Sequence, residues 1–438
     1  NHRLPRKENQ DCNNTKPQAI ILDYTEPNLS FCQEKLKQGD VVSFPTETVY
    51  GLGANCFIEK AVLKIFEYKG RPLSDPLILH VDCIDKIYPH VDISDTMKTI
   101  LDCLGKKFWP GPLTIILKAN FSTITKYITA NTEFVSFRIP KSEKALALLS
   151  KLDFPVAAPS ANKFCHVSPV TAKHVYSDFE EYPVTILDGG MCEFNMESTV
   201  IKPDLEAKKI YIYRKGAISF IDLTSFIEEQ NKTNNLFSDF SVEYIVKSPT
   251  KAHPVKEGNG NSSNSSHNNE SNGEDQDRKD KDESENMEAP GLFLKHYSPK
   301  IQTYMVSTSL SLSHSNDSEG LAYNSISLYK QVLKAKGLKC VVLDYDGYIK
   351  KYIKENKEKL MIEVVAIRDL AEGDSEKSRC KNALSNMYDF LRWTEDYPEA
   401  DCVLVPLLEE VIPNDQPEKA TLSDRALKAS SSTIASFI

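Results

Sequence analysis

Residues 256–286 hold no apolar side chain, and that stretch limits the possible folds of this chain more than any other. A segment of polar and charged residues and glycine cannot offset its ordering entropy by burial, so disorder is expected there. It divides 438 residues, too many for one ordinary core, into two folding units. Nine acids and four bases in the segment account for −5 of the formal net charge of −9. Residues 1–255, with 30 bases against 31 acids, are near neutral, which argues against a generic nucleic-acid binder while leaving room for a local basic patch. With 40% hydrophobic and 26% charged residues the remainder reads as globular.

The ten cysteines include no C-x-x-C pair, so neither a zinc site nor a disulfide framework is expected, and free thiols in a reducing compartment are the simpler reading. No H-E-x-x-H, Walker A or defensible Ser-His-Asp order is present, and no metal ligands are assigned. No run of 18 apolar residues predicts a membrane span. The first residues lack a secretory apolar region, and the missing initiator Met is expected to reflect trimming or processing, such as removal of a transit peptide.

Residues 17–247 alternate strand-like and helix-like segments after an expected flexible tail at 1–16. Strands are predicted at 40–44, 77–81, 113–118, 135–139, 155–159, 184–188, 198–202 and 210–214, each closed by Pro, Gly or Asn. Apolar spacing predicts helices at 58–68, 142–151 and 171–179. Residues 248–300 are expected to link this unit to a smaller α/β unit of Rossmann type over 301–438. In that second unit strands are predicted at Cys340–Asp344, Val364–Ile367 and Cys402–Val405, with helices at 376–393 and 421–437. It has no G-x-G-x-x-G, so no dinucleotide site is expected there.

Several strand ends carry polar groups suited to a ligand. In Phe44-Pro45-Thr46-Glu47-Thr48-Val49-Tyr50-Gly51-Leu52-Gly53 an apolar run meets hydroxyls and two glycines, which would turn side-chain oxygens and amides toward a cleft. Lys69 and Arg71 flank Gly70 at the end of a helix; they suit a polyphosphate, or simply a solvated helix C-terminus. His80 ends an apolar strand, where a structural hydrogen bond or a catalytic role are both open. Arg138 stands in a strand otherwise built of apolar and small residues and needs an anionic partner, either a protein carboxylate or a ligand carboxylate. Ala158-Pro159-Ser160-Ala161-Asn162 offers close backbone approach plus hydrogen-bonding side chains, and Ser168 is a possible cap that would put amide donors near an anion. Glu197-Ser198-Thr199 and Arg214-Lys215-Gly216 add hydroxyls and a basic turn.

Taken together these motifs resemble the threonylcarbamoyl-AMP synthase family (YrdC-like) in its two-domain form. The resemblance is carried by residues 45–53, by Lys69-Gly70-Arg71-Pro72 with Asp75-Pro76-Leu77-Ile78, and by Pro110-Gly111-Pro112-Leu113-Thr114. Arg138-Ile139-Pro140, residues 158–162, Glu197–Val200 and, in the linker, Pro290-Gly291 and His296-Tyr297-Ser298-Pro299 continue it, and Asp424-Arg425 and Lys428-Ala429 stand where the family's second domain ends. Asp75 often appears as Asn in relatives, Phe134 replaces a small hydroxyl residue, and the 256–286 insertion precedes the lid, whose closure is expected to be looser for it.

The resemblance implies a mixed twisted YrdC-like sheet, a Rossmann-like second domain, and a nucleotidyltransferase reaction. L-threonine, bicarbonate or carbon dioxide, and ATP would give threonylcarbamoyl-AMP and pyrophosphate, with Mg2+ on the phosphates. The product would feed the threonylcarbamoyladenosine modification of tRNA through a downstream transferase complex, and direct tRNA binding is compatible with this. Carried over by motif, Lys69 and Arg71 would be catalytic; Thr48, His80, Arg138, Ala158 and Ser198 would hold threonine; and Arg71, Asp75, Ser160, Asn162, Ser168, Arg214, His296 and Tyr297 would bind ATP, the last two as a lid. The compartment expected is the cytoplasm, with an organellar form left open. Two alternatives are an RNA-binding module of the same fold without synthase activity, and a carbamoyl-phosphate enzyme on the same core; the paired cysteines that accompany the latter are missing here.

Overall fold

The computed structural model describes residues 18–233, 235–245, 289, 296–307, 324–327, 338–356, 360 and 362–436. The tail expected at 1–16 and the insertion expected at 256–286 lie outside the described residues.

Eleven strands among these residues form one mixed sheet: β1 (Ile20–Asp23), β2 (Val42–Phe44), β3 (Gly51–Asn55), β4 (Ile78–His80), β5 (Leu113–Lys118), β6 (Phe134–Arg138), β7 (Val156–Ala157), β8 (Thr185–Asp188), β9 (Thr199–Asp204), β10 (Lys209–Arg214) and β11 (Ser241–Tyr244). Their order is β1-β8-β2-β3-β7-β4-β6-β5-β9-β10-β11, with β4 parallel to β6 and β7 antiparallel to both β3 and β4. Strand alternation sorts side chains to two faces. Val42, Phe44 and Val156 pack with Leu29 and Leu36 of α1 (Glu26–Lys37) and Leu148 of α4 (Glu143–Ser150). On the other face Leu52, Leu79 and Phe137 meet Ile65 of α2 (Glu59–Lys69), Leu104 of α3 (Asp95–Phe108) and Val175 of α5 (Ala172–Phe179). Helix α6 (Phe220–Asn231) opens on a capping box in which Ser219 and Asp222 satisfy each other's backbone amides.

A second sheet is parallel throughout, in the order β13-β17-β12-β16-β14-β15. Its strands are β12 (Thr303–Ser307), β13 (Asn324–Ser327), β14 (Leu338–Asp344), β15 (Ile362–Asp369), β16 (Cys402–Pro406) and β17 (Thr433–Ser436). Helices α7 (Tyr348–Glu355), α8 (Glu376–Trp393), α9 (Leu408–Val411) and α10 (Lys419–Ala429) accompany it. Met387 and Leu391 of α8 and Leu422 and Ala426 of α10 belong to the same buried cluster as the core of the first unit, so the two units share one apolar contact region.

The helix expected over 421–437 needs correction. It stops at Ala429, and residues 433–436 form a strand instead. Ser431 and Ser432 adopt φ of 52° and 57°, which ends the helix and turns the chain so that Ile434 and Ala435 pair with β12. No helix among the described residues is long and apolar enough to cross a membrane.

Candidate active site

The ends of β2, β4, β6, β7 and β10 and the loop before β9 converge on one cleft of about 550 Å³, counted with the space open to solvent. Of the residues singled out above, Thr48, Arg71, His80, Arg138, Ala158, Ser160, Ser198, Arg214 and His296 line it. Thr46, Tyr50, Gly51 and Glu197 line it as well.

At one side the turn after β2 is fixed by its own hydroxyl. Thr46 Oγ1 donates to the Val49 carbonyl at 2.7 Å, accepts from the amides of Thr48 and Val49 at 3.2 Å, and lies 2.8 Å from Thr48 Oγ1. The turn carries Glu47 to the guanidinium of Arg138 at 2.7 Å, with both side chains almost fully buried. A protein carboxylate thus already partners Arg138, whose Nε also donates to the Gly111 carbonyl at 3.3 Å. His80 pairs in register with Arg138 on the neighbouring strand. Burial, and then the Arg138 charge, push its pKa down to about 3, so the ring is neutral and its Nδ1 has no hydrogen-bond partner among the described residues. The Ala158 amide donates to the Ile78 carbonyl at 2.9 Å, so its contribution to the cleft is the methyl and carbonyl.

At the other side Gly70 ends α2 with φ 63°, a left-handed residue that lets the Arg71 amide reach back to the Phe66 carbonyl at 3.0 Å. The turn sends the two bases in different directions. Arg71 enters the cleft wall, anchored to the carbonyls of Asp75 and Pro76 and to the Asp75 carboxylate at 2.9 Å. Asp75 thus spends its charge on Arg71. Lys69 is not in the wall: its Nζ donates to the carbonyls of Ser160 at 2.7 Å and Asn162 at 2.5 Å, and burial together with Arg71 pushes its pKa well below the lysine range. Asn162 donates to the His166 carbonyl at 2.9 Å and Ser168 to Glu197 at 2.6 Å, so both shape the loops behind the cleft. Ser198 is held between Thr114 at 2.7 Å and Arg214 at 3.0 Å.

His296 and Tyr297 come from the segment joining the units. His296 is buried in the cleft, with its pKa held well below the histidine range by burial and then by Lys428, Arg71, Lys69 and Arg214. Tyr297 adopts φ 58° and does not reach the cleft wall. Its ring stacks on Tyr388 of α8 at 5.2 Å and lies 4.6 Å beneath the guanidinium of Arg425 of α10. Sequence reasoning assigned no role to Glu47, Glu197, Tyr388 or Arg425. The available signal was an acid in each of two motifs that also held site hydroxyls, and an arginine standing among Leu422, Ala426 and Leu427 in the last helix.

The arrangement offers three guanidinium groups, several fixed hydroxyls and neutral imidazoles, which suits an anionic ligand bound without a covalent step. Among the described residues no group of three or more His, Cys, Asp or Glu could hold a metal ion.

A family profile described as "Telomere recombination" matches residues 34–216, and one described as "Threonylcarbamoyl-AMP synthase, C-terminal domain" matches residues 257–431. The threonylcarbamoyl-AMP synthase of Pyrococcus abyssi is 39% identical over 194 residues, 44% of this chain and 55% of that protein. The chain thus spans about half the length of such curated relatives in sequence alignment. The threonylcarbamoyl-AMP synthase of Aliivibrio fischeri is 30% identical over 135 residues, 31% of this chain and 72% of that protein. The crystal structure of P. abyssi Sua5 complexed with L-threonine superposes with a TM-score of 0.64 at 25% identity, covering 95% of this chain and 99% of that one.

Proposed function

Since the chain belongs to the threonylcarbamoyl-AMP synthase family, we propose that it converts L-threonine, bicarbonate or carbon dioxide, and ATP into threonylcarbamoyl-AMP and pyrophosphate. The observation that carries this reading is the cleft itself, which is lined by Arg138, Thr48 and His80 and also by Arg71 and by Arg214 with its hydrogen-bonded Ser198.

In this reading the threonine carboxylate takes the guanidinium of Arg138, beside Thr48, Ser198, the Ala158 backbone and an uncharged His80. A neutral imidazole there avoids repelling the threonine ammonium before it loses its proton. The free amine adds to carbon dioxide and releases a proton to solvent, giving a carbamate, and a carbamate oxygen attacks the α-phosphorus of ATP. The bond to the bridging oxygen breaks and pyrophosphate leaves. No protein nucleophile is consumed, so rate comes from holding the two reactants together and from arginines facing the developing charge. Arg71 and Arg214 meet the phosphates; Lys69 acts by holding the Ser160–Asn162 loop against the nucleotide; Asp75 and Ser168 orient Arg71 and Glu197; and His296, backed by Tyr297, closes the site. Three carboxylates near the cleft (Glu47, Asp75 and Glu197) are each paired with an arginine. Magnesium therefore fits as the ion carried by the ATP phosphates rather than in a protein cage, and would offset part of the triphosphate charge. A transferase acting on tRNA would consume the product.

The test is pyrophosphate release from ATP with bicarbonate, with and without L-threonine, and detection of threonylcarbamoyl-AMP by mass. Release that depends on threonine is the expected result. A well-folded chain that releases none with any amino acid would sink the proposal.

A further inference from the structure

A cleft that takes a polyphosphate should not present an unneutralised carboxylate, yet Glu197 lines this one while 4% exposed. Its oxygens are engaged from two directions. Ser168 of the first unit donates to Oε1 at 2.6 Å, and the Tyr388 hydroxyl of the second unit donates to Oε2. The positive charge comes from the second unit too: Nη2 of Arg425 lies 3.3 Å from Glu197 Oε2. Arg425 is 1% exposed and does not itself line the cleft. Its other contacts hold it in place, through the Asp424 carboxylate and the Lys215 carbonyl at 2.6 Å. The same helix end also grips the lid, since the His296 amide donates to the Lys428 carbonyl at 3.4 Å and Ser298 Oγ to the Ala429 carbonyl at 3.1 Å.

We propose that Arg425 is a positioning residue for nucleotide use: it neutralises Glu197 across the contact between the two units, so that the cleft accepts the ATP phosphates, and its guanidinium face supports Tyr297 behind His296. The inference rests on the nucleotide reading of the cleft. It explains why the second unit, which adds no side chain to the cleft wall among the described residues, is joined to the first by a buried charge pair. Removing one partner of such a pair leaves the other charge buried and unpaired, here beside the bound anion.

The experiment is a cycle of Arg425→Met, Glu197→Gln and the double variant, each checked for folding by circular dichroism and assayed for KM and kcat on ATP and on threonine, with ATP binding by calorimetry. Arg425→Met is expected to weaken ATP by about 10–100-fold, with threonine KM moved several-fold less. Adding Glu197→Gln is expected to restore most of the loss, because the carboxylate that needed neutralising is gone. A lost scaffold contact alone would give no such rescue. Unchanged ATP affinity in a folded Arg425→Met chain, or a double variant no better than the single, overturns the inference while leaving the synthase reading intact. Failure of the wild type to bind ATP overturns both. If Arg425→Met alone does not fold, the comparison of Glu197→Gln with the double variant decides: similar ATP affinity supports the inference, and a double variant that does not bind ATP overturns it.

Discussion

At the scale of single residues the most consequential pair is Glu47 and Arg138, two buried charges 2.7 Å apart on the threonine side of the proposed site. Without ligand they neutralise each other; with threonine bound, the guanidinium would be shared between two carboxylates. Arg138→Ala is expected to abolish threonine-dependent turnover, lowering kcat/KM for threonine by at least about 100-fold, and to destabilise the fold by roughly 3–5 kcal/mol because Glu47 stays buried without its counter-ion. Arg138→Ala with Glu47→Gln should recover much of that stability and none of the threonine binding. Melting curves and threonine calorimetry on both variants separate the two losses; normal threonine affinity in either would remove Arg138 from the site. His80 carries its own expectation. With its pKa pushed down to about 3 by burial and by Arg138, its ring should show no protonation shift in an NMR titration from pH 8 to pH 5. A His80 signal titrating near the ordinary imidazole value would contradict the buried, neutral ring.

At the scale of elements, one turn governs the loop that carries Glu197 and Ser198. A side chain at Gly216 would place its Cβ 2.4 Å from the Thr199 amide nitrogen, 2.5 Å from the Ser198 carbonyl carbon and 2.6 Å from the Glu197 oxygen. These are backbone atoms with nowhere to go, so Gly216→Ala should cost about 1–3 kcal/mol and shift Ser198 off Arg214. A lowered melting temperature together with lost ATP use is expected; a fully active variant would show that the loop tolerates displacement. Local chemistry of this kind is also what made the fold partly legible. Strands 113–118, 135–139 and 210–214 were readable because an apolar run or apolar alternation, stopped by Asn120, Pro140 or Gly216, coincides with β5, β6 and β10. Strand β3 was not, because Gly51-Leu52-Gly53-Ala54-Asn55 resembles a turn and becomes a strand only by pairing with β2 and β7. Gly53 is needed there, since a Cβ would lie 2.8 Å from the Phe44 ring. The cleft residues lay in motifs a few residues long, whereas the contact of Tyr388 with Glu197 joins positions 191 residues apart and has no local signature.

At the scale of the whole molecule, a second buried charge cluster ties the two units together away from the cleft. His166 Nδ1 lies 2.9 Å from Asp178 of α5, and its Nε2 lies 2.7 Å from Glu395, which follows α8. Arg392 of α8 also reaches Asp178 at 3.0 Å, and Glu395 accepts from the Lys300 amide at 2.8 Å. A neutral imidazole can donate to only one of the two carboxylates; the imidazolium satisfies both. Burial works against the charge and Arg392 adds to that, but the bonds to Asp178 and Glu395 outweigh them and leave the His166 pKa above its ordinary value. A folded-state pKa raised in this way contributes stability that is complete below the unfolded value of roughly 6.5 and is lost as pH rises through the folded value. His174, beside Arg392 and Asp389, has the opposite sign: burial first, and then Arg392, push its pKa down to about 4, so its contribution is present above the ordinary value and fades on acidification. The two must be separated by subtraction. The difference in melting temperature between the wild type and His166→Gln should be greatest below about pH 6.5, shrink as pH rises beyond it, and correspond to about 1–3 kcal/mol at its largest. The same variant should release the second unit more readily, seen as faster hydrogen exchange across α8 and α5 in the acid range. A difference that stays constant from pH 5.5 to pH 9 would mean that His166 joins the units as a neutral spacer, and that within this cluster the charge link is the one between Arg392 and Asp178.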